Sequence, residues 1–370
     1  MSFNETMFLK RSIAEKIYED EEVLRIYYNH LMQIVEERDH YGVFARFYVK
    51  KLRDMLNVIG EALENLKNID YFAGHYTTFR LKWIHDTIYL LTVFCMHLDR
   101  ALRHRSSLFD SKIKIYAPHY AFEPLYKTLI SCDAILYESI DRSEAFRENL
   151  FLLSYFGEKG PATPPDPIRI PEHLSQTGLI KNISISTITR IGFVTVPRHM
   201  HLHSRCTIDN IHEAMHNLIE LYLNLKVVPE RLKKAFIDLA EIYARYVHER
   251  ADHYIELFCD ILSTAVSFFA YPIASVASDL YYLEKQPILP YHPPDAVRNY
   301  ACFLFTYEYM SHLVDELEKR KGELAERIEK IFCYVKFHAK QYPKHLHFIH
   351  EFIEDLEGLT ILIIPLSQFF

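Results

Sequence analysis

The chain has 370 residues, 49% of them hydrophobic and 25% charged, with a formal net charge of −7 and a sequence pI near 6.3. An acidic balance of this kind gives no electrostatic footprint for a nucleic acid, and the local basic cluster from Arg100 to Arg105 does not change that reading. Only 9 glycines stand against 25 Phe and 26 Tyr, the composition of a stiff and mostly helical chain with large aromatic contacts.

Residues 1–15 hold no apolar targeting core, and no uncharged run reaches the roughly 18 residues that a bilayer span requires, so neither export nor a membrane span is expected. Cys95, Cys132, Cys206, Cys259, Cys302 and Cys333 are scattered and form no C-x-x-C pair. Most sit in apolar helical contexts, which points to reduced buried thiols and a cytoplasmic setting.

Apolar residues recur at spacings of three and four in Leu24, Tyr27, Tyr28 and Leu31, and again in Leu56, Ile59, Leu63 and Leu66. That periodicity predicts helices over the first hundred or so residues. Arg80 and His85 match the R-x4-H spacing of helical ribonuclease modules, but such a pair arises readily in a helix containing both types, and a structural role is expected. Lys112 to Tyr116 reads as a short strand and Ala121 to Phe151 as helix. Residues 1–156 are therefore expected to form a helical N-terminal region.

Residues 157–178 change character: Pro161, Pro164, Pro165, Pro167 and Pro171, with Gly157 and Gly160, are expected to form a surface connection between domains. Residues 179–370 follow as a second domain. Ile183 to Ser186 alternates with period two, and Phe193 to Val196 is rich in β-branched residues up to Pro197, so two strands are expected. Such strands either offer an edge to an extended peptide or pack the next helix.

That helix, capped by Thr207 or Asp209, carries His212-Glu213-Ala214-Met215-His216. Two imidazoles four positions apart on a helix face one cation, and Glu213 between them suits a general base acting on a metal-activated water. A random chain with 21 His would hold roughly 0.1 such motifs, so the flanks matter. Asn210, Ala214, Met215, Asn217 and Leu218 place no charge in competition with a metal.

Forty residues beyond His216, Glu256 and Asp260 share a helix face among Ile255, Leu257, Phe258, Ile261 and Leu262. Glu256 would complete a three-ligand set with His212 and His216, leaving a fourth position open, while Asp260 would fix the tautomer of a ligating His. His253, three residues earlier, is the closest rival as third ligand; His201, His203, Cys206, His248, Glu249 and Asp252 also lie near in sequence.

These residues resemble the gluzincin zinc metallopeptidases, in which an H-E-x-x-H helix is followed by a helix contributing a glutamate. His212, Glu213 and His216 fit the first signature and Glu256 with Asp260 fits E-x-x-x-D. His292-Pro293 followed by Arg298 is similar to an H-P-x-x-x-x-R element of several zinc-peptidase families. The resemblance covers residues 190 to about 300. It implies that His292 stabilises the oxyanion or positions the substrate, and that Arg298 holds this segment against the active-site carboxylates. Tyr271, Tyr281 and Tyr282 are further candidates for the oxyanion donor.

Beyond Arg298, two amphipathic helices are expected over 299–313 and 314–337, the second with a solvated charge run from Glu316 to Lys321. His338, His345, His347 and His350 invite a second metal reading, but their spacings of seven, two and three mix loop and helix around Pro343, and a structural role is expected. Leu359 to Phe370 is an apolar strip too short to span a membrane and is expected to dock on the fold.

The fold expected is mainly α with a small β-sheet, a zincin-like metallopeptidase domain preceded by helices. The function expected is Zn2+-dependent hydrolysis of a peptide or protein substrate, with Glu213 as general base, without nucleic acid. The alternative is a helical interaction or scaffold protein with a structural or vestigial zinc site. Chain patterning does not fix the oligomeric state.

Overall fold

A computed structural model describes residues 3–37, 42–73, 76–106, 150–157, 169–181, 190–197, 211–217, 219, 255–285, 293–347, 349–350 and 353. The described residues are mainly helical with one two-stranded parallel sheet. The chain divides into two units, Met1–Leu129 with Glu148–Arg198, and Ile130–Arg147 with His199–Phe370.

The first unit begins with three long helices, α1 (Phe3–Glu37), α2 (Gly42–Lys67) and α3 (Thr78–Ser106). Their apolar stripes meet: Ile17, Leu24 and Leu31 of α1 join Leu56, Ile59 and Leu63 of α2 and Ile84, Ile88 and Leu91 of α3 in one buried core. Each such side chain contributes roughly 1.5–3 kcal/mol by leaving water. The Arg25 guanidinium pairs with Glu21 and donates to the Leu63 carbonyl at 2.8 Å, which ties α1 to α2.

Strand β1 (Leu150–Gly157) pairs in parallel with β2 (Arg190–Pro197), setting Leu153 opposite Phe193. The helix expected from Ala121 to Phe151 thus ends differently, because Leu150 and Phe151 belong to a strand. Leu-Phe-Leu-Leu is a continuous apolar run, and periodicity does not separate a buried parallel strand from a buried helix. Residues 107–149, including Lys112 to Tyr116, lie outside the described residues, as do 182–189 with the Ile183 to Ser186 strand.

A parallel pair needs a crossover, and here it carries α4 (Ile170–Thr177). Part of the stretch expected as a surface connection is therefore helical, with Ile170 and Leu174 fully buried. Pro171 fits the first turn, where its missing N–H has no helical partner to lose, and Gly178 ends the helix with φ +72°. Residues 158–168 lie outside the described residues. Buried Arg190 at the start of β2 pairs with Glu172 of α4, so the crossover helix is fastened to the strand it feeds.

The second unit contributes helical residues 211–217 (α5) and 255–267 (α6), then α7 (Ala270–Lys285), α8 (Asp295–Tyr309) and α9 (Ser311–Ala339). Phe268 interrupts α6 and α7 with φ 56°, a left-handed conformation uncommon for a bulky residue. Pro294 precedes α8, and Met310 separates α8 from α9, three residues earlier than the sequence boundary at Leu313. Phe332 of α9 stacks with Tyr300, Phe303 and Tyr307 of α8. The charge run of α9 is exposed and satisfied along the helix by Glu316–Arg320, Glu323–Arg327 and Glu326–Lys330 pairs. Leu359 to Phe370 lies outside the described residues. No helix among the described residues is long and apolar enough to cross a membrane.

Candidate metal centre

Helix α5 buries Ile211, Ala214 and Met215, and that same side brings His212 and His216 inward, one turn apart. Their Nε2 atoms lie 3.1 Å from each other. Helix α6 supplies the facing stripe of Glu256, Cys259 and Asp260. Glu256 sets Oε2 at 3.0 Å from His212 Nε2 and Oε1 at 3.4 Å from His216 Nε2. Two imidazoles and one carboxylate, 40 residues apart in the chain, therefore converge on one point.

The outer nitrogen of His212 is held as well. Its Nδ1 lies 2.8 Å from Asp260 Oδ1, which also accepts from the Tyr271 hydroxyl at 2.5 Å. The Tyr271 oxygen is 3.1 Å from the same Nδ1, but the carboxylate is nearer and is charged, so it takes the imidazole proton. Arg298 of α8 closes the set, donating from Nε to Asp260 Oδ2 at 2.6 Å and from Nη2 to Oδ1 at 2.8 Å. Asp260 is thus a buried carboxylate with three donors, the condition under which a buried charge is tolerated.

The charges follow from these contacts. Burial alone would strip His212 of its proton, but Asp260 and Glu256 outweigh it and raise the imidazole to about 10. Burial likewise opposes ionisation of Asp260, yet Arg298 and His212 hold it well below the usual carboxylate range. Tyr271 is pushed up by burial and by Asp260, so it stays a neutral donor. Its hydroxyl, one of several oxyanion-donor candidates of the sequence, donates to Asp260.

A tetrahedral ion with ligand bonds of about 2.0–2.2 Å has donor–donor edges of roughly 3.3–3.6 Å. The contacts here are 3.1 Å between the two imidazole nitrogens, 3.0 Å from His212 to Oε2 and 3.4 Å from His216 to Oε1, so the carboxylate meets the two rings through different oxygens. Two imidazoles and a carboxylate are a donor set that suits a divalent ion such as zinc. Glu213, beside His212 on α5, is partly exposed at the same helix.

Sequence reasoning passed over Cys259, taking it for an ordinary core thiol. The Sγ lies with the two imidazoles in a group whose donor atoms are all within 4.8 Å of one another. Its position three residues after Glu256, on the stripe that also holds Asp260, was the signal available. Burial pushes the thiol well above its ordinary range, with Glu256 and Asp260 adding to the effect.

Other candidates fall elsewhere. His292 lies outside the described residues, as do His201, His203, Cys206, His248, Glu249, Asp252 and His253; the side chains of Tyr281 and Tyr282 are likewise outside them. Of the C-terminal histidines, His338 packs on Tyr334 and Phe337, His345 on Tyr342, and His350 on Tyr300. In the first unit Arg80 lies over the Tyr76 ring at 5.0 Å, while His85 bonds Asp20 and Asp86, each at 3.2 Å. The R-x4-H pair is thus occupied by structural contacts. No protein-family model matches the chain, and neither a curated protein nor a solved structure matches it.

Proposed function

We propose that this protein is a zinc-dependent metallopeptidase of gluzincin-like, zincin-type architecture, acting on a peptide or protein substrate. The observation that carries the reading is the Glu256 carboxylate bridging both imidazoles of the H-E-x-x-H helix while Asp260 holds the outer nitrogen of one of them. His212, His216 and Glu256 would hold the zinc. When bound, zinc supplies a Lewis acid that polarises a carbonyl and lowers the pKa of water towards about 7.

The chain's own residues account for the remaining requirements. Asp260 keeps the His212 Nδ1 proton in place, so the Nε2 lone pair is the one presented inward. Arg298 and Tyr271 fix Asp260, which stops that carboxylate from turning to the metal side. Glu213 is the general base: it accepts a proton from the attacking water and returns it to the leaving amine, a role that contributes about 10²–10⁴-fold. The test is zinc content and peptide cleavage of purified protein beside Glu213→Gln.

A second reading, a helical interaction protein with a structural zinc, is favoured by the thiol of Cys259 beside the imidazoles, since a fourth protein donor closes a site. Chelation separates the two. Unfolding on zinc removal supports the structural site, whereas loss of turnover in a folded protein supports the catalytic one.

A further inference from the structure

We propose that the Sγ of Cys259 is a fourth protein donor to the metal ion held by His212, His216 and Glu256. The inference rests on the reading that these three residues hold a metal, and it stands whether that metal is catalytic or structural.

Three observations carry it. Cys259 is one turn from Glu256 on α6, on the side that faces α5, and its Sγ is grouped with the His212 and His216 ring nitrogens within 4.8 Å. The residue is fully buried. Among the described residues its Sγ has no hydrogen-bond partner; the backbone carbonyl of Cys259 accepts from Ser263 at 2.6 Å, but the sulfur itself has no such contact. A fully buried sulfur, grouped with the ring nitrogens of the two histidines that Glu256 bridges, is placed to bind the same ion.

The chemistry narrows the ion. Two imidazoles, one carboxylate and one thiolate form a borderline-to-soft set that suits zinc and, by substitution, cobalt or cadmium, and disfavours magnesium, calcium and manganese. As the metal–sulfur bond forms, the thiol releases its proton to solvent, and the anionic sulfur offsets charge that would otherwise remain on the ion. A water reaches such a centre by displacing the thiolate or as a fifth ligand.

The experiment is X-ray absorption at the zinc edge on the full-length zinc-loaded protein, with the visible and near-ultraviolet spectrum of the cobalt-substituted form. The expected result is one sulfur scatterer at about 2.3 Å among nitrogen and oxygen scatterers at about 2.0–2.2 Å. A thiolate-to-cobalt charge-transfer band should accompany it, and both signals should be lost in Cys259→Ser. A shell of nitrogen and oxygen alone overturns the proposal and leaves the three-residue metal site standing. A sulfur signal that persists in Cys259→Ser assigns another thiol and also overturns it. Protein that takes up neither ion overturns this proposal and the metal reading together. The wild-type spectrum needs no variant to fold, and a sulfur shell in protein that cleaves no peptide refutes the peptidase reading alone.

Discussion

Arg298 holds both carboxylate oxygens of Asp260 through one edge of its guanidinium, Nε to Oδ2 at 2.6 Å and Nη2 to Oδ1 at 2.8 Å, across 38 residues of chain. That fork is the join between α8 and α6, and it neutralises the carboxylate on which His212 depends. Removing it in Arg298→Ala leaves a buried Asp260 facing a protonated imidazole and a phenol. Loss of one partner of a buried pair costs about 3–5 kcal/mol. The Arg298 side chain keeps 19% of its surface in solvent, so the low end of that range is expected. Denaturant unfolding of the two proteins measures it, and Arg298→Lys should recover only part, because one ammonium does not reproduce a two-bond fork.

Asp260→Asn preserves shape but removes the charge that holds the His212 proton and turns one acceptor oxygen into an NH2 donor. Zinc affinity should fall by about 10–100-fold, the usual effect of losing the partner of a ligating histidine. Competition with a chromogenic chelator reads this directly. Unchanged affinity would show that Asp260 has no part in setting the imidazole.

Metal uptake should release protons. Without metal His212 is an imidazolium at neutral pH, since its partners raise it to about 10. A ligating nitrogen must be deprotonated, so apparent zinc affinity should rise with pH across the interval from neutrality to about 10. In the metal-free protein the sign is opposite for stability. The imidazolium contribution is fully present below the unfolded value near 6.5 and is lost as pH rises through about 10. Titration calorimetry in two buffers of different ionisation heat counts the protons released.

His97 supplies a pH test in the other unit, away from any ligand. Its Nδ1 accepts from the Tyr155 hydroxyl at 2.6 Å, and burial, aided by Arg100, lowers it from 6.5 to about 4. The folded unit thus prefers neutral His97 while the unfolded chain binds the proton more readily. Stability linked to this residue is complete above pH 6.5 and declines as pH falls towards about 4, by about 1–2 kcal/mol once solvent screening of this half-exposed ring is allowed for. Melting curves at pH 7.5 and 5 should differ less in His97→Asn than in wild type.

The helices were legible because periodic burial is written along each of them, as in Leu56, Ile59, Leu63 and Leu66. Strand β1 was not, since neighbouring Leu152 and Leu153 are both buried and the run loses the alternation that marks a strand. The proximity of His212, His216, Glu256 and Asp260 could be anticipated from helical spacing together with the motif. The environment of Tyr271 could not. It depends on the turn at Phe268, and although Pro272 in the first turn of α7 marks a helix start, nothing in the sequence says that the hydroxyl before it is aimed at Asp260. Cys259 was hidden by its residue type, because a cysteine in an apolar helix looks the same whether it faces leucines or ligands.

The central claim meets its most direct test in Glu213→Gln. This substitution keeps the size of the side chain and leaves His212, His216 and Glu256 in place, but removes the basic carboxylate. The measurement is cleavage of a mixed peptide library by zinc-loaded wild type and variant, with zinc stoichiometry determined on the same samples. The account predicts one zinc per chain in both proteins and a rate lower by about 10²–10⁴-fold in the variant. Equal cleavage by the two proteins, or wild-type protein without stoichiometric zinc, would contradict it.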